Sequence, residues 1–245
     1  MTNDKILDVL SSCTVDSTTR LILISAVYFD AAWKYLIDET FTDILMFHVS
    51  DNETVRASGL FYINDKQFWH GYNSALRCRA VALPYVDNAF SMIVLLPDDV
   101  NGLPTLERSL SADNVLDVLH TRRNFRMVYS TISVTLPRFN IEQSRSLSND
   151  LTQLGMKDLF DENKADLSGI DGSADISVSF FQHRAFIHVN DRGTEAGAAA
   201  AVGIKKRISP TSINIDHPFL FFVRDNVHST ILFSGRVTNP GHVIN

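Results

Sequence analysis

The sequence predicts an α+β fold. Strand patterns outnumber helical ones, and only two segments carry helical spacing. The two kinds occur in mixed order, without the regular alternation of a doubly wound sheet.

The elements follow in chain order. LILISAVYF (21–29) is nearly continuous apolar, the pattern of a strand buried on both faces. RAVALPYV and FSMIVLLP are two further runs, separated by the turn-like DNA at 87–89. In LPTLERSLSADNVLDVLHTRR, Val115, Leu116 and Leu119 recur at helical spacing. TISVTLPRF alternates, with Ile132, Val134 and Leu136 on one face and Ser133 and Thr135 on the other. In SRSLSNDLTQLGM, Leu147, Leu151 and Leu154 share a helical face, and Gly155 suits the C-terminal cap. HRAFIHV (183–189) reads as a strand that stops at Asn190. FLFFV and TILFSGRV flank the polar RDNVHS and read as a hairpin. No internal repeat and no dividing linker is evident.

Composition bounds the function. A chain of 245 residues makes one large domain or two small ones. It is 45% apolar and 20% charged, and its sixteen Phe can fill a sizeable core. Twenty-two cations against twenty-eight anions leave a net charge of -6, which excludes a general nucleic-acid binder. The longest apolar stretch is broken by Asp30 and is too short for a membrane span. The first residues are polar and acidic, so no signal peptide is expected. Cys13 and Cys78 make no disulfide framework and are expected to be free, mostly buried thiols. Asn52-Glu53-Thr54 is a glycosylation sequon that matters only in a secreted chain.

Catalytic and metal motifs are not evident. There is no G-x-S-x-G, H-E-x-x-H, C-x-x-C, P-loop or G-x-G-x-x-G. His183 and His188 lie at odd separation on one strand and face opposite sides. The expectation is no enzyme, no metal and no cofactor.

One stretch resists a core assignment. VNDRGTEAGAAAAVGIKKRISP (189–210) follows a strand with a run of small residues and then three cations, Lys205, Lys206 and Arg207. Extended, Thr194, Ala196, Ala198, Ala200 and Val202 point one way, and Glu195, Gly197, Ala199, Ala201 and Gly203 the other. Nothing bulkier than Val lies on the first face, so such a strand could slide between two others without displacing a packed side chain. Taken alone, the tract reads first as a flexible small-residue linker, or as a short Ala-rich helix.

VNDRGTEAGAAA, together with DHPFLFFVRDNVHSTILFSGRVTNP, strongly resembles the hinge and the C-terminal signature of the serpins, the serine protease inhibitor superfamily. TRLILISAVYFDAAWK, LPYVDNAFSMIVLLPDD, LPRFNIEQSRSLSNDLTQLGMKDLFDENKADLSGI and HRAFIHVN look like further serpin segments in the right order. The resemblance implies mixed β-sheets with surrounding helices and an exposed reactive-centre loop at about 191–212. It implies a suicide mechanism in which the loop is cleaved, the protease is acylated, and the hinge strand inserts into the main sheet. Residues 1–12 resemble the family segment just before the third strand of that sheet. The expectation is therefore a serpin domain over 1–245, incomplete at its N-terminus, whose exposed sheet edge invites self-association.

Roles follow residue by residue from the resemblance. Thr194 matches the hinge residue that enters the sheet first. Gly193, Glu195, Ala196, Gly197, Ala198 and Ala199 complete the hinge, with Gly197 replacing the usual Ala. Asp191 stands where the family has Glu, and Arg138 matches its expected partner; two unconnected surface charges are the alternative. Trp33 and His183 match residues at the top of the sheet where the loop enters, with an ordinary packing role as the alternative for each. Counting thirteen forward from Thr194 and eleven back from Pro218 both reach Arg207, which places the reactive bond at Arg207–Ile208. An arginine there implies a trypsin-like target; Lys206 and Lys205 are weaker candidates. An extracellular protein is expected by resemblance, and the unrecognised signal peptide leaves an intracellular one open. Two functions stand: a suicide inhibitor of a trypsin-like serine protease, or a non-inhibitory serpin-like protein acting as protease substrate or binding protein. The small-residue hinge favours the first.

Overall fold

The structure is a computed structural model that describes residues 15–35, 43–62, 66–119, 127–172, 176–190 and 211–241. Cys13 and the whole expected hinge and reactive bond, from Asp191 to Ile208, lie outside the described residues.

The apolar runs become strands. In chain order these are β1 (Leu21–Phe29), β2 (Asp43–Ser50), β3 (Glu53–Tyr62), β4 (Gln67–Asn73), β5 (Cys78–Pro84) and β6 (Phe90–Pro97). Helices α1 (Leu103–Ser109) and α2 (Ala112–Leu119) follow, then β7 (Val128–Thr131), β8 (Ser133–Pro137) and β9 (Phe139–Ser146). Two short helices, α3 (Ser148–Gln153) and α4 (Ser168–Asp171), precede β10 (Val178–Val189), β11 (Ser212–Asn214), β12 (Phe219–Asp225) and β13 (Thr230–Val237). The strands form sheets in the orders β1-β10-β9, β11-β8-β3-β2 and β13-β12-β6-β5-β4-β7. Two compact units result: Met1–Asp30 with Asn140–His188, and Ala31–Phe139 with Val189–Asn245.

The six-stranded sheet explains the continuous apolar runs. β5 and β6 pair antiparallel from Cys78 with Pro97 to Pro84 with Ser91, and β12 pairs with β6. Ala80, Ala82, Ile93, Leu95, Leu220 and Phe222 form one packed face against Leu103 and Leu106 of α1. Val81, Leu83, Met92 and Val94, on the alternate positions, are equally buried. A central strand buried on both faces has no polar position to spare. The turn at 86–89 holds two left-handed residues, Asp87 (φ 61°) and Asn88 (φ 54°), residue types that tolerate this conformation. Cys78 is fully buried, and burial, with the nearby Asp98 charge, pushes its thiol up to about 12. It is therefore protonated and inert.

Three expectations shift. LILISAVYF is a strand but not one buried on both faces: β1 is half-buried and Ile24 is 49% exposed. The reason is position, since β1 ends the three-stranded sheet with β10 as its strand neighbour among the described residues. The long helical segment is two helices. Leu110 turns extended (ψ 128°), and the Ser111 hydroxyl accepts the Asn114 amide at 3.2 Å to cap α2. Val115 then packs on the core while Leu116, one position round the helix, faces water; the Leu119 side chain lies outside the described residues. Third, Leu154 is 81% exposed, because α3 ends at Gln153 and the shared face stops there. Gly155 does cap it: φ is +108°, and its amide and that of Met156 donate to Thr152 and Leu151 carbonyls at 3.1 and 2.9 Å.

Candidate functional site: a parallel strand pair and the base of a loop

One candidate region lies on β10 and its strand neighbours, in the first unit. β10 runs parallel to β1 over nine register pairs, from Leu21 with Val178 to Phe29 with Ile187. Side chains stitch the pair together. The Tyr28 and Phe186 rings, register partners, stack with centroids 5.6 Å apart. His183 Nδ1 lies 3.2 Å from the hydroxyl of its partner Ser25. Toward β9, Arg184 Nε donates to Glu142 Oε1 at 2.7 Å, and Gln182 Nε2 to Ser144 Oγ at 2.8 Å. Gln182 and Arg184 share a face because they are two residues apart.

A second candidate region, in the other unit, surrounds Asn190. Trp33 is 3% exposed, and its indole lies nearly flat on Tyr85, with centroids 4.4 Å apart at 10°. The two residues also form an antiparallel bridge. Lys34 N donates to Pro84 O at 3.0 Å and Val86 N to Ala32 O at 2.8 Å, which fixes this segment along the β5–β6 turn. Trp33 Nε1 donates to the backbone carbonyl of Asn190 at 2.9 Å. That carbonyl belongs to the last described residue before Asp191.

The described chain resumes at Thr211, beside β8. Ser133 N donates to Thr211 O at 3.2 Å, β11 pairs parallel with β8, and Ile215 N donates to Thr135 O at 2.9 Å. Asp216 and His217 follow. His217 is buried, with Nδ1 2.8 Å from Asp216 Oδ1 and Nε2 2.7 Å from Pro97 O. Both neighbours accept hydrogen bonds, so only the imidazolium satisfies both. Burial opposes that charge, but the bonds to Asp216 and the Pro97 carbonyl outweigh it and raise the pKa.

Of the expected loop-entry residues, Trp33 lies beside Asn190 and His183 lies in mid-strand on β10, where the Ser25 hydroxyl opposite gives the half-buried imidazole a partner. The two belong to different units. Arg138 is half-buried, and its backbone amide donates to Ser58 O at 2.7 Å; its expected partner Asp191 lies outside the described residues. The cross-strand ion pair that is described, Arg184 with Glu142, escaped the sequence reading. Only the register of β9 against β10 brings it together. No group of three metal-ligating side chains occurs among the described residues.

Residues 1–240 match the family model for Serpin (serine protease inhibitor). The chain is 38% identical over 244 residues to the human leukocyte elastase inhibitor, and 36% identical over 241 residues to human Serpin B8. Each alignment covers 98% of this chain and 63% of the relative, so the chain spans about three-fifths of their length. The structure is similar to uncleaved ovalbumin, with a TM-score of 0.85 and 29% identity over 98% of this chain and 59% of that one. It is also similar to Serpin48 of the insect Tenebrio molitor, with a TM-score of 0.81 and 29% identity over 97% and 61%. These matches run nearly end to end through the sheets just described, and the chain belongs to the serpin (serine protease inhibitor) family.

Proposed function

We propose that this protein inhibits a trypsin-like serine protease by offering residues 191–210 as a reactive loop cut at Arg207–Ile208. The protease serine attacks the Arg207 carbonyl carbon, the amide bond breaks, and the Ile208 amine leaves. Arg207 stays joined to the protease as an ester. Residues 194–203 then add as a strand between β1 and β10; serpin loop insertion is itself a known case of strand addition.

The observation that supports this reading is the β1–β10 pair. It is parallel, and the chain leaves β10 at Asn190. A reversal there lays the small-residue tract antiparallel to both strands. One parallel ladder is exchanged for two antiparallel ones, which are slightly more stable per residue. Each added ladder bond nets about 0.5–1.5 kcal/mol. The arginine suits a specificity pocket that holds a carboxylate.

A second target has support from the relatives' names. Several are leukocyte elastase inhibitors, and the loop also carries Val202 and Ile204, which suit a small apolar pocket.

The test is incubation with trypsin and, separately, with leukocyte elastase. Denaturing electrophoresis and mass spectrometry of the released C-terminal fragment then read the outcome. A stable complex with trypsin and a fragment beginning at Ile208 are expected. A complex with elastase alone, its fragment beginning at Gly203 or Lys205, would transfer the assignment to the second target. Complete turnover of the chain without any complex would make it a protease substrate.

A further inference from the structure

We propose that the end of the six-stranded sheet beside the β5–β6 turn is a binding site for a small aromatic anion. A cavity of about 350 Å3 opens there, within the usual size of ligand pockets. It lies wholly within the unit formed by Ala31–Phe139 and Val189–Asn245. This site is independent of the loop and of protease inhibition.

The walls are aromatic. Trp69 of β4 and Tyr129 of β7 are register partners, with ring centroids 5.4 Å apart at 40°. They stay 40% and 46% exposed, although rings of this size gain by burial against a flat partner. Such a pair beside a cavity offers a stacking face.

The rim is polar and held in place. Lys34 Nζ donates to Asn88 Oδ1 at 3.0 Å. Asn226 Nδ2 donates to the Asn88 carbonyl at 2.9 Å, and its Oδ1 accepts the Ser91 hydroxyl at 2.8 Å. The Asn226 amide is thus fixed at both ends, and the left-handed Asn88 is braced from two sides. Half-buried Arg224 adds a second cation to the lining and donates to Ser229 Oγ at 2.9 Å.

Charge selects the ligand. Among the described residues the lining includes Lys34 and Arg224 and no carboxylate. The adjacent Asp225 carboxylate accepts hydrogen bonds from the Val227 and His228 amides, lies 2.8 Å from the His228 ring, and also acts on Arg224 by its charge. Among the described residues the lining cations face no lining acid, which favours an anion, and the exposed rings favour an aromatic one. An aryl carboxylate or sulfonate fits both requirements.

The experiment uses the full chain and three probes of one shape: 4-nitrobenzoate, 4-nitrobenzyl alcohol and 4-nitrobenzylamine. Calorimetry is expected to show saturable binding of the benzoate at one site, with the alcohol and the amine weaker in that order. Lys34 is exposed, so Lys34→Gln leaves the fold intact; it is expected to weaken the benzoate about fivefold, the scale of a partly screened ion pair. The chain has two tryptophans, and Trp33 is buried beside Asn190, so saturable quenching reports on Trp69. Equal binding of the three probes would overturn the proposal. So would non-saturating quenching, or a benzoate affinity unchanged in both Lys34→Gln and Arg224→Gln.

Discussion

The indole Nε1 of Trp33 donates a hydrogen bond to the carbonyl of Asn190 at 2.9 Å, while the ring face lies on Tyr85. Trp33→Phe keeps an aromatic stack and removes the donor. It is expected to cost about 0.5–1.5 kcal/mol, the usual net contribution of one hydrogen bond. Trp33→Ala also empties the ring's space and is expected to cost about 3–5 kcal/mol. Urea unfolding of the three proteins measures both. A Phe variant as stable as the parent would mean that the bond to Asn190 contributes nothing.

His217 makes stability depend on pH. Its pKa is raised in the folded state, because the bonds to Asp216 and the Pro97 carbonyl, with the Asp216 and Asp98 charges, outweigh desolvation. A raised pKa stabilises fully below the ordinary value near 6.5 and is lost as pH rises through the folded pKa. The melting temperature should therefore fall across neutral pH, and His217→Gln should flatten that fall. Calorimetric scans from roughly pH 5.5 to 8.5 decide it; parallel curves for parent and variant would remove His217 as the cause.

Gly235 faces Phe221 across the β12–β13 ladder. A Cβ at Gly235 would lie 2.6 Å from Phe221 Cζ and 2.7 Å from Cε1. The Phe221 ring is buried and packs 5.5 Å from Phe139, so it has little room to yield. Gly235→Ala is expected to destabilise by about 1–3 kcal/mol, the usual cost of overpacking. A chemical denaturation midpoint unchanged from the parent would show that the ring shifts freely.

Thr194 has its place in the proposed inserted strand, facing the sheet interior with Ala196 and Ala198. Thr194→Arg, placed in a chain that forms protease complexes, should convert inhibition into turnover, because an unpaired buried cation is costly. The stoichiometry of inhibition should rise well above one. A value that stayed near one would contradict the inward-facing assignment.

No described strand covers the outer edge of β1. A strand edge that nothing covers would invite pairing with another chain, the self-association expected from the sequence. Light scattering of the expressed chain is expected to show self-association, and a monodisperse monomer at micromolar concentration would contradict it.

Read alone, the sequence determined the α+β class, the β5–β6 and β12–β13 hairpins, the Gly155 cap and the serpin family. These are local patterns or long contiguous motifs. FSMIVLLP reads as a strand without knowledge of its partners, and DHPFLFF with ILFSGRV carries the family by itself. The tertiary structure decided what depends on neighbours. LILISAVYF looks fully buried, yet β1 is half-exposed because burial depends on which strands flank it. Arg184 met Glu142, and His183 met Ser25 in mid-strand, only through cross-strand register, which sequence spacing does not encode. Trp33 and Asn190 are far apart along the chain; packing on Tyr85 brings the indole to that carbonyl, because a buried N–H must find an acceptor wherever the fold supplies one.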